Sequence, residues 1–203
     1  MPKIQFYTGD LPASVRFEKS VAIDTETMGL NLHRDRLCLV QLSDEQGNVS
    51  LVQIQKGKKY PNLIKLLTNP KILKIFHFAR FDVAKIKQDL GIIVTPIYCT
   101  KIASKLCRTS SPSHSLKSLC FDLLGVELCK EQQTSDWGAE SLTKAQQQYA
   151  ANDVLYLHAL KQKLDLLLKR EGRTALAQQC FDFLPTRAEL DLLDFDNPDI
   201  FNH

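Results

Sequence analysis

The chain has 203 residues, of which 44% are hydrophobic and 24% are charged, and its formal net charge is +3. This length fits one domain with a sizeable core, and the composition excludes a disordered or fibrous protein. A net charge this small is compatible with a polyanionic partner and equally with none.

The six cysteines predict free thiols in a reducing compartment. No two of them have Cys-x-x-Cys spacing, and none has a zinc-like spacing with the five histidines. The N-terminus has no basic head followed by a long apolar stretch, so no signal peptide is predicted. No apolar run approaches the roughly 20 residues of a membrane helix. The sequence therefore predicts a cytoplasmic protein with no membrane contact.

The order of the predicted elements indicates an α/β domain. Three short β-prone runs come first, and a buried strand then leads into a helix that Gly91 ends. A further strand follows, and from Thr100 onward the pattern is helical almost to the end. The predicted strands are residues 21–23, 37–42, 49–54, 72–78 and 92–98, and the predicted helices include 62–67, 80–90 and 143–170. This order implies a mixed sheet covered by helices.

Asp24 and Glu26 follow the first predicted strand. Residues two apart in a strand point to the same face, roughly 7 Å apart. Two like charges on one face repel each other unless a positive group lies between them, and a hard divalent cation with oxygen ligands is the natural candidate. Taken alone, the pair is explained more simply by a strand that ends at Asp24 with Glu26 facing water.

Asp153 lies on the core-facing side of the late predicted helix. The apolar stripe of that helix passes through Leu157, Leu160 and Leu164, and its backward extension reaches Asp153 and then Tyr149. A carboxylate on such a face is costly unless it is paired or binds a metal. A helix end that emerges into solvent, or a buried basic partner, explains Asp153 equally well.

Asp82 alone is weak evidence for a metal site, because the helix dipole favours an acid near a helix N-terminus for purely structural reasons. The order of the acids is more specific. Residues 24–26 after the first strand, 77–82 after the fourth and 149–153 on the late helix resemble the DEDD superfamily of 3′→5′ exonucleases. Tyr149, four residues before the last aspartate, matches the tyrosine subclass, which is that of RNase D.

The resemblance extends to the nanoRNase C type, a compact branch of the family that degrades very short RNA. It covers nearly the whole chain and includes residues 22–30, 99–104 and 180–188, whereas residues 115–119 and 130–137 resemble RNase D. One departure is Phe78, because many RNase D relatives have a polar residue after the histidine. This departure puts in doubt a polar substrate contact at that position.

The resemblance implies an RNase H-like mixed β-sheet of about five strands flanked by helices, in a single exonuclease domain over residues 1–203. It also implies hydrolysis assisted by two divalent cations, Mg²⁺ or Mn²⁺. Asp24 would bridge both ions, Glu26 and Asp153 would complete the first, and Asp82 would serve the second. Tyr149 would orient the attacking water, and its ordinary pKa near 10 makes it a poor general base.

Further residues are expected to contact the substrate. Leu30 takes the place of a leucine that wedges between the last two bases, although a loop leucine that caps the core is the alternative. Trp137 is a candidate for base stacking or for a packing anchor. His77 and His114 are candidates for phosphate contacts, although a lone histidine is more often structural. The expected substrate-binding residues are Thr25, Leu30, His77, Lys101, Arg108, His114 and Trp137.

Three functions remain after these arguments. The first is hydrolysis of very short RNA with dinucleotides favoured, the second is RNase D-like trimming of longer RNA or DNA, and the third is a catalytically dead nucleic-acid-binding module. The complete set of acids argues against the third. Against the second stand the expected lack of a C-terminal helical RNA-binding domain and the acidic residues 189–196, which would repel a long RNA nearby. The nanoRNase C type is an octameric ring, which implies a homo-oligomer.

Overall fold

A mixed β-sheet forms the centre of the fold in this computed structural model, which describes residues 3–128, 135–195 and 198–202. The strands are β1 (Ile4–Tyr7), β2 (Ser20–Thr27), β3 (Leu37–Ser43), β4 (Val49–Gln53), β5 (Leu73–Phe76) and β6 (Ile97–Cys99). Their order in the sheet is β1-β4-β3-β2-β5-β6. The strands β2, β3 and β4 form an antiparallel meander, whereas β1, β5 and β6 join in parallel. The predicted mixed sheet flanked by helices is confirmed.

The helices begin and end where the sequence provides caps. Gly91, at φ 68°, ends the helix that follows β5, and Ser115 and Thr143 cap two later helices with their side-chain oxygens. Thr143 also forms a capping box with Gln146. The helices are α1 (Pro61–Leu67), α2 (Ala79–Leu90), α3 (Thr100–Cys107), α4 (Leu116–Leu124), α5 (Lys144–Leu155), α6 (Leu157–Arg170) and α7 (Thr174–Leu192).

The single long helix predicted for residues 143–170 is wrong, because the structure breaks it at Tyr156 into α5 and α6. The sequence around the break has no glycine or proline, so local propensity does not predict it. The two helices pack on different surfaces. The helix α5 lies on strands β2, β3 and β4, whereas α6 packs against α3 and α4. Tertiary packing therefore explains the break.

Two strand predictions also differ from the structure. The edge strand β1 was not predicted, and it pairs in parallel with β4 from Ile4 onward. The last strand, β6, covers Ile97–Cys99 rather than the predicted residues 92–98. Within the described residues its neighbour in the sheet is β5, which is four residues long and pairs with it from Lys74 opposite Ile97, so the strand begins there.

The core lies on both faces of the central strands. Every residue of β3 and β4 is buried, and the predicted apolar stripe of α6 is confirmed because Leu157, Leu160, Leu164 and Leu168 are buried. Within the described residues the cysteines are free, whereas Cys129 and the predicted RNase D-like residues 130–134 lie outside them. In the described part of the chain, no helix is long and apolar enough to cross a membrane.

Candidate metal centre

Three of the four predicted acids come together at the end of β2. One carboxylate oxygen from each of Asp24, Glu26 and Asp153 lies within 4.8 Å of the other two. The strand β2 provides Asp24 and Glu26 two residues apart, and α5, which packs on β2 and β3, provides Asp153. This arrangement brings carboxylate oxygens from two distant parts of the sequence to one point.

Gln41 supports Asp24 from the neighbouring strand, and the sequence analysis did not single it out. It lies opposite Asp24 in the β2–β3 register, and its Nε2 donates to Asp24 Oδ2 at 3.4 Å. The side chain is fully buried, and its Oε1 has no partner in the described residues. Gln41 is the one amide side chain in the apolar run of β3. Because a buried amide needs hydrogen-bond partners, this position could have indicated a polar neighbour from the sequence alone.

Asp82 is the fourth acid, and it lies in the first turn of α2 outside the group of three. Its side chain is only 4% exposed, and Thr25 Oγ1 donates to its Oδ1 at 2.6 Å. Thr25 is itself buried. The Thr25 hydroxyl is therefore used inside the protein to hold Asp82, and a substrate contact by Thr25 stays a prediction.

Burial raises the pKa of all four carboxyl groups, and repulsion from neighbouring acids adds to this at Asp24, Glu26 and Asp82. Burial, followed by repulsion from Asp153 and Asp82, raises the pKa of Glu26 to about 9. Burial is the main cause that raises the pKa of Asp82 and of Asp153 to about 7. The pKa of Asp24 lies well above its ordinary value because of burial and then repulsion from the other three acids.

These acids lack a positive partner in the described residues, where none of the four forms an ion pair. Several carboxylates in one buried place are costly unless a cation compensates them. Oxygen ligands of this kind are those that hard divalent cations prefer. The residues present therefore fit a divalent metal ion.

Tyr149 lies beside Asp153, one helical turn earlier on α5. Its pKa is raised by burial and then by repulsion from Asp153, Glu26 and Asp24, so the phenol keeps its proton at neutral pH. Its ring lies 6.0 Å from the ring of Trp137, measured between centroids. Trp137 is only 3% exposed, so its ring has no open face for a base. The stacking role is therefore wrong, and Trp137 is a packing residue.

The turn between β5 and α2 contains His77 and Phe78. Phe78 has φ 67°, a left-handed conformation that is strained for an aromatic residue, and Lys101 Nζ lies 4.0 Å from its ring centroid. Thr100 Oγ1 donates to Phe76 O at 3.2 Å, so it accepts the 2.9 Å hydrogen bond from His77 Nδ1. Burial lowers the pKa of His77 to about 4. A substrate phosphate would therefore meet a neutral imidazole here.

Three predicted phosphate-binding residues lie close together around α3. Lys101 lies in the first turn of α3 and Arg108 directly follows its last residue, and His114 Nδ1 lies 2.8 Å from Oγ of Ser104, which lies between them in the sequence. Arg108 Nη1 also donates to Ser104 Oγ at 3.4 Å. Arg108 forms an ion pair with Asp122, which compensates part of its charge. Burial and then repulsion from Arg108 lower the pKa of His114.

Leu30 is the most exposed large apolar side chain in the described residues, at 85%. It lines a cavity of about 320 Å³ together with Phe78, Arg80 and Phe81. An open leucine at the rim of a cavity fits the predicted wedge better than a leucine that caps the core, because a capping residue would be buried.

Described acids of the C-terminal stretch have specific partners, and the repulsion of long RNA by this stretch stays a prediction. Asp191 accepts hydrogen bonds from Arg80 at 2.6 and 2.7 Å and from Arg187 at 2.8 and 3.0 Å. Glu189 pairs with Lys87, and Asp194 Oδ1 lies 3.2 Å from His33 Nε2. Asp196 lies outside the described residues. Basic partners therefore compensate Asp191 and, in part, Glu189.

The sequence matches the protein family described as 3′-5′ exonuclease over residues 5–169. It is 32% identical over 177 residues to ribonuclease D of Bartonella henselae, an alignment that covers 86% of this chain and 43% of that protein. The chain spans less than half the length of the curated ribonuclease D relatives it matches first.

Two solved structures match nearly the whole chain. Brucella melitensis NrnC bound to pGG is 51% identical, with 100% of both chains covered and a TM-score of 0.95. Brucella melitensis NrnC with bound Mg²⁺ is 52% identical, with 99% of both chains covered and a TM-score of 0.93.

Proposed function

Because the chain belongs to the 3′-5′ exonuclease family, we propose that it removes nucleotides from the 3′ end of RNA as nucleoside 5′-monophosphates. The observation that carries this proposal is the group of Asp24, Glu26 and Asp153, whose carboxylate oxygens lie within 4.8 Å of one another. Acids held this close without a basic partner in the described residues fit a metal-dependent hydrolase better than a structural role.

The four acids would hold two divalent cations, Mg²⁺ or Mn²⁺. Asp24 is repelled by all three other acids, so it is the central member of the set and is assigned to both ions. Glu26 and Asp153 are assigned to the first ion and Asp82 to the second. When bound, such ions supply positive charge that favours an ionised nucleophile and a negatively charged transition state. The Mg²⁺ in the Brucella relative supports this choice of metal.

The protein groups around the metals position the reacting atoms. Thr25 and Gln41 hold two of the acids through hydrogen bonds to Asp82 and Asp24. Tyr149 keeps its phenolic proton, so it orients the attacking water by a hydrogen bond and does not accept the proton as a general base. The contribution of Tyr149 is therefore expected in the rate and not in substrate affinity.

The substrate class that the site fits best is very short RNA, with dinucleotides favoured. Leu30 needs only two bases to act as a wedge, one on each side. Lys101, Arg108 and His114 lie together and would receive a 5′-terminal phosphate, where charged and polar donors are favourable. The pGG bound to the Brucella relative supports a substrate of this length.

The second candidate is RNase D-like trimming of longer RNA or DNA, which the ribonuclease D relatives support. The ion pairs of Asp191 and Glu189 weaken one argument against it, because these two acids have basic partners. A catalytically dead module is the least favoured, because it has no use for clustered uncompensated acids.

The assembly is proposed to be a homo-oligomer, as in the octameric ring of the nanoRNase C type. Phe183, Ile200 and Phe201 are exposed near the end of the described chain and would be covered by another copy. Residues 1–203 act as one exonuclease domain, since α7 packs on α2 and α3. The free cysteines favour the cytoplasm.

The function is tested with 5′-labelled RNAs of two to twenty nucleotides in Mg²⁺, followed as product ladders. Cleavage from the 3′ end that is absent in Asp24→Asn is expected, and no cleavage of any RNA by the wild type would refute the proposal. Substrate length is tested by binding in Ca²⁺, which blocks turnover. A 5′-phosphorylated dinucleotide is expected to bind at least tenfold tighter than a 7-mer, about 1.4 kcal/mol. Equal affinity would favour the trimming role.

A further inference from the structure

We infer that Lys85 is a positioning residue that fixes the place of Leu30 relative to the metal-binding acids. It does so by tethering the loop between β2 and β3, residues 28–36, here called the wedge loop, to helix α2. This inference rests on the proposed function, because it assigns the geometry of the two-base substrate site to a residue outside that site.

The wedge loop has a self-contained turn around Asn31 and Asp35. Asp35 N donates to Asn31 O at 2.9 Å, and Asn31 N donates back to Asp35 Oδ2 at 3.0 Å. At its neck, Met28 N donates to Arg36 O at 3.1 Å. These bonds make the turn rigid in itself, but they do not fix its distance from the acids.

Lys85 and Asp89 connect this loop to α2. Lys85 is 1% exposed, and its Nζ donates to Leu32 O at 2.9 Å and lies 2.8 Å from Asp89 Oδ1. The other oxygen of Asp89 accepts a hydrogen bond from Leu37 N, where β3 begins. The loop is therefore held at Leu32, two residues after Leu30, and at its far end.

The same face of α2 contains the tether and the metal-binding acid. Asp82, Lys85 and Asp89 are three and seven residues apart, so they lie along one side of the helix. One rigid helix therefore sets the distance between Asp82 and the loop that presents Leu30. A wedge is useful only if it lies at one fixed distance from the scissile phosphate.

The chemistry of Lys85 indicates a geometric role. A buried ion pair adds little stability beyond a well-packed apolar residue, because the cost of desolvation offsets the attraction. A lysine donor also fixes a carbonyl oxygen in direction and distance, which an apolar side chain cannot do. Loss of the tether should therefore affect substrates that need the wedge more than it affects the hydrolysis itself.

The experiment compares Lys85→Met with wild type on two substrates. The dinucleotide pGpG has two bases to separate, whereas the p-nitrophenyl ester of thymidine 5′-monophosphate has one base. We expect KM for pGpG to rise at least tenfold, with kcat for the ester within threefold of wild type. The double variant Lys85→Met/Asp89→Asn removes the unpaired charge in case the single variant does not fold.

A thermodynamic cycle and hydrogen exchange complete the test. If Lys85 acts through Leu30, Lys85→Met changes KM for pGpG less than twofold in a Leu30→Ala background. Amide exchange in residues 31–37 should also become faster, whether or not the protein is an enzyme. Equal losses on both substrates, additive effects with Leu30→Ala, or unchanged exchange would overturn the inference. Failure of the wild type on both substrates would refute the proposed action on very short RNA and leave the exchange result to decide on the tether.

Discussion

Thr25 and Asp82 are joined by a 2.6 Å hydrogen bond from Oγ1 to Oδ1, which connects β2 with α2 inside the candidate metal centre. Thr25→Val keeps the shape of the side chain and removes the donor. We expect its single-turnover rate on a 5′-phosphorylated dinucleotide to fall at least tenfold, because a hydrogen bond to a charged group contributes about 1.5–3 kcal/mol. The matched variant Thr25→Ser keeps the donor and should stay within threefold of wild type. Equal rates for both variants would show that the hydroxyl has no role.

Asp24→Asn should abolish turnover and at the same time stabilise the metal-free protein. The variant removes a carboxylate that three other acids repel, so its Tm in EDTA at pH 8 should rise. The control Asp182→Asn makes the same change of charge on the exposed side of α7 and should alter neither property. Single-turnover cleavage within tenfold of wild type in saturating Mg²⁺ would contradict the metal assignment.

The metal-free protein should lose stability as the pH rises. The pKa of Glu26 is raised from 4.5 to about 9 in the folded state, so the folded protein binds more protons than the unfolded chain between these values. The free energy of unfolding therefore falls as pH increases through this window. We expect Tm in EDTA to be about 2–4 °C lower at pH 9 than at pH 6. Mg²⁺ should reduce this difference. A Tm that rises with pH over this range would contradict the burial of these acids.

Tyr149→Phe should lower the rate substantially and leave substrate affinity nearly unchanged. The hydroxyl is proposed to orient water in the transition state, and loss of such a contact lowers kcat without raising Kd. Single-turnover rates and binding of a dinucleotide in Ca²⁺ measure the two effects separately. Equal losses in rate and affinity would indicate a tyrosine that binds substrate.

Asp191→Asn should strongly destabilise the fold. Asp191 is buried and bonded to both Arg80 and Arg187, so the variant removes a carboxylate that these two guanidinium groups share, while Arg187 keeps its ion pair with Asp199. Breaking a buried pair of this kind costs about 3–5 kcal/mol. Glu189→Gln, which breaks the more exposed pair with Lys87, should cost less than about 1 kcal/mol. Urea unfolding measures both, and similar values for the two variants would argue against a structural role for the Asp191 network.

Much of the fold could be predicted from sequence because its signals are local. The alternation of β2 places Asp24 and Glu26 on one side, and the glycine after α2 ends that helix where expected. The break at Tyr156 could not be predicted, because it results from packing on two different surfaces and not from a local breaker. The strand β1 was missed for a related reason, since its support comes from pairing with β4 and packing against α5.

The candidate site was predictable in its acids and less so in the residues around them. Asp24, Glu26 and Asp153 gather as the motifs predicted. Thr25 and Trp137 were assigned to the substrate because of residue type, and both prove to be buried. Gln41 and Lys85 were missed because their partners, Asp24 and Leu32, are distant from them in sequence. Only the folded structure shows which groups they contact.

The Arg80–Asp191 pair has a consequence for synthesis of the protein. The two residues are 111 positions apart in the sequence, and Arg80 lies two residues before Asp82. A ribosome that has made the four acids has therefore not yet made the helix that anchors α2. At about 5–20 residues per second, the remaining translation takes seconds. The Arg80–Asp191 pair, and with it the packing of α7 on α2, can therefore form only after the four acids have been synthesised.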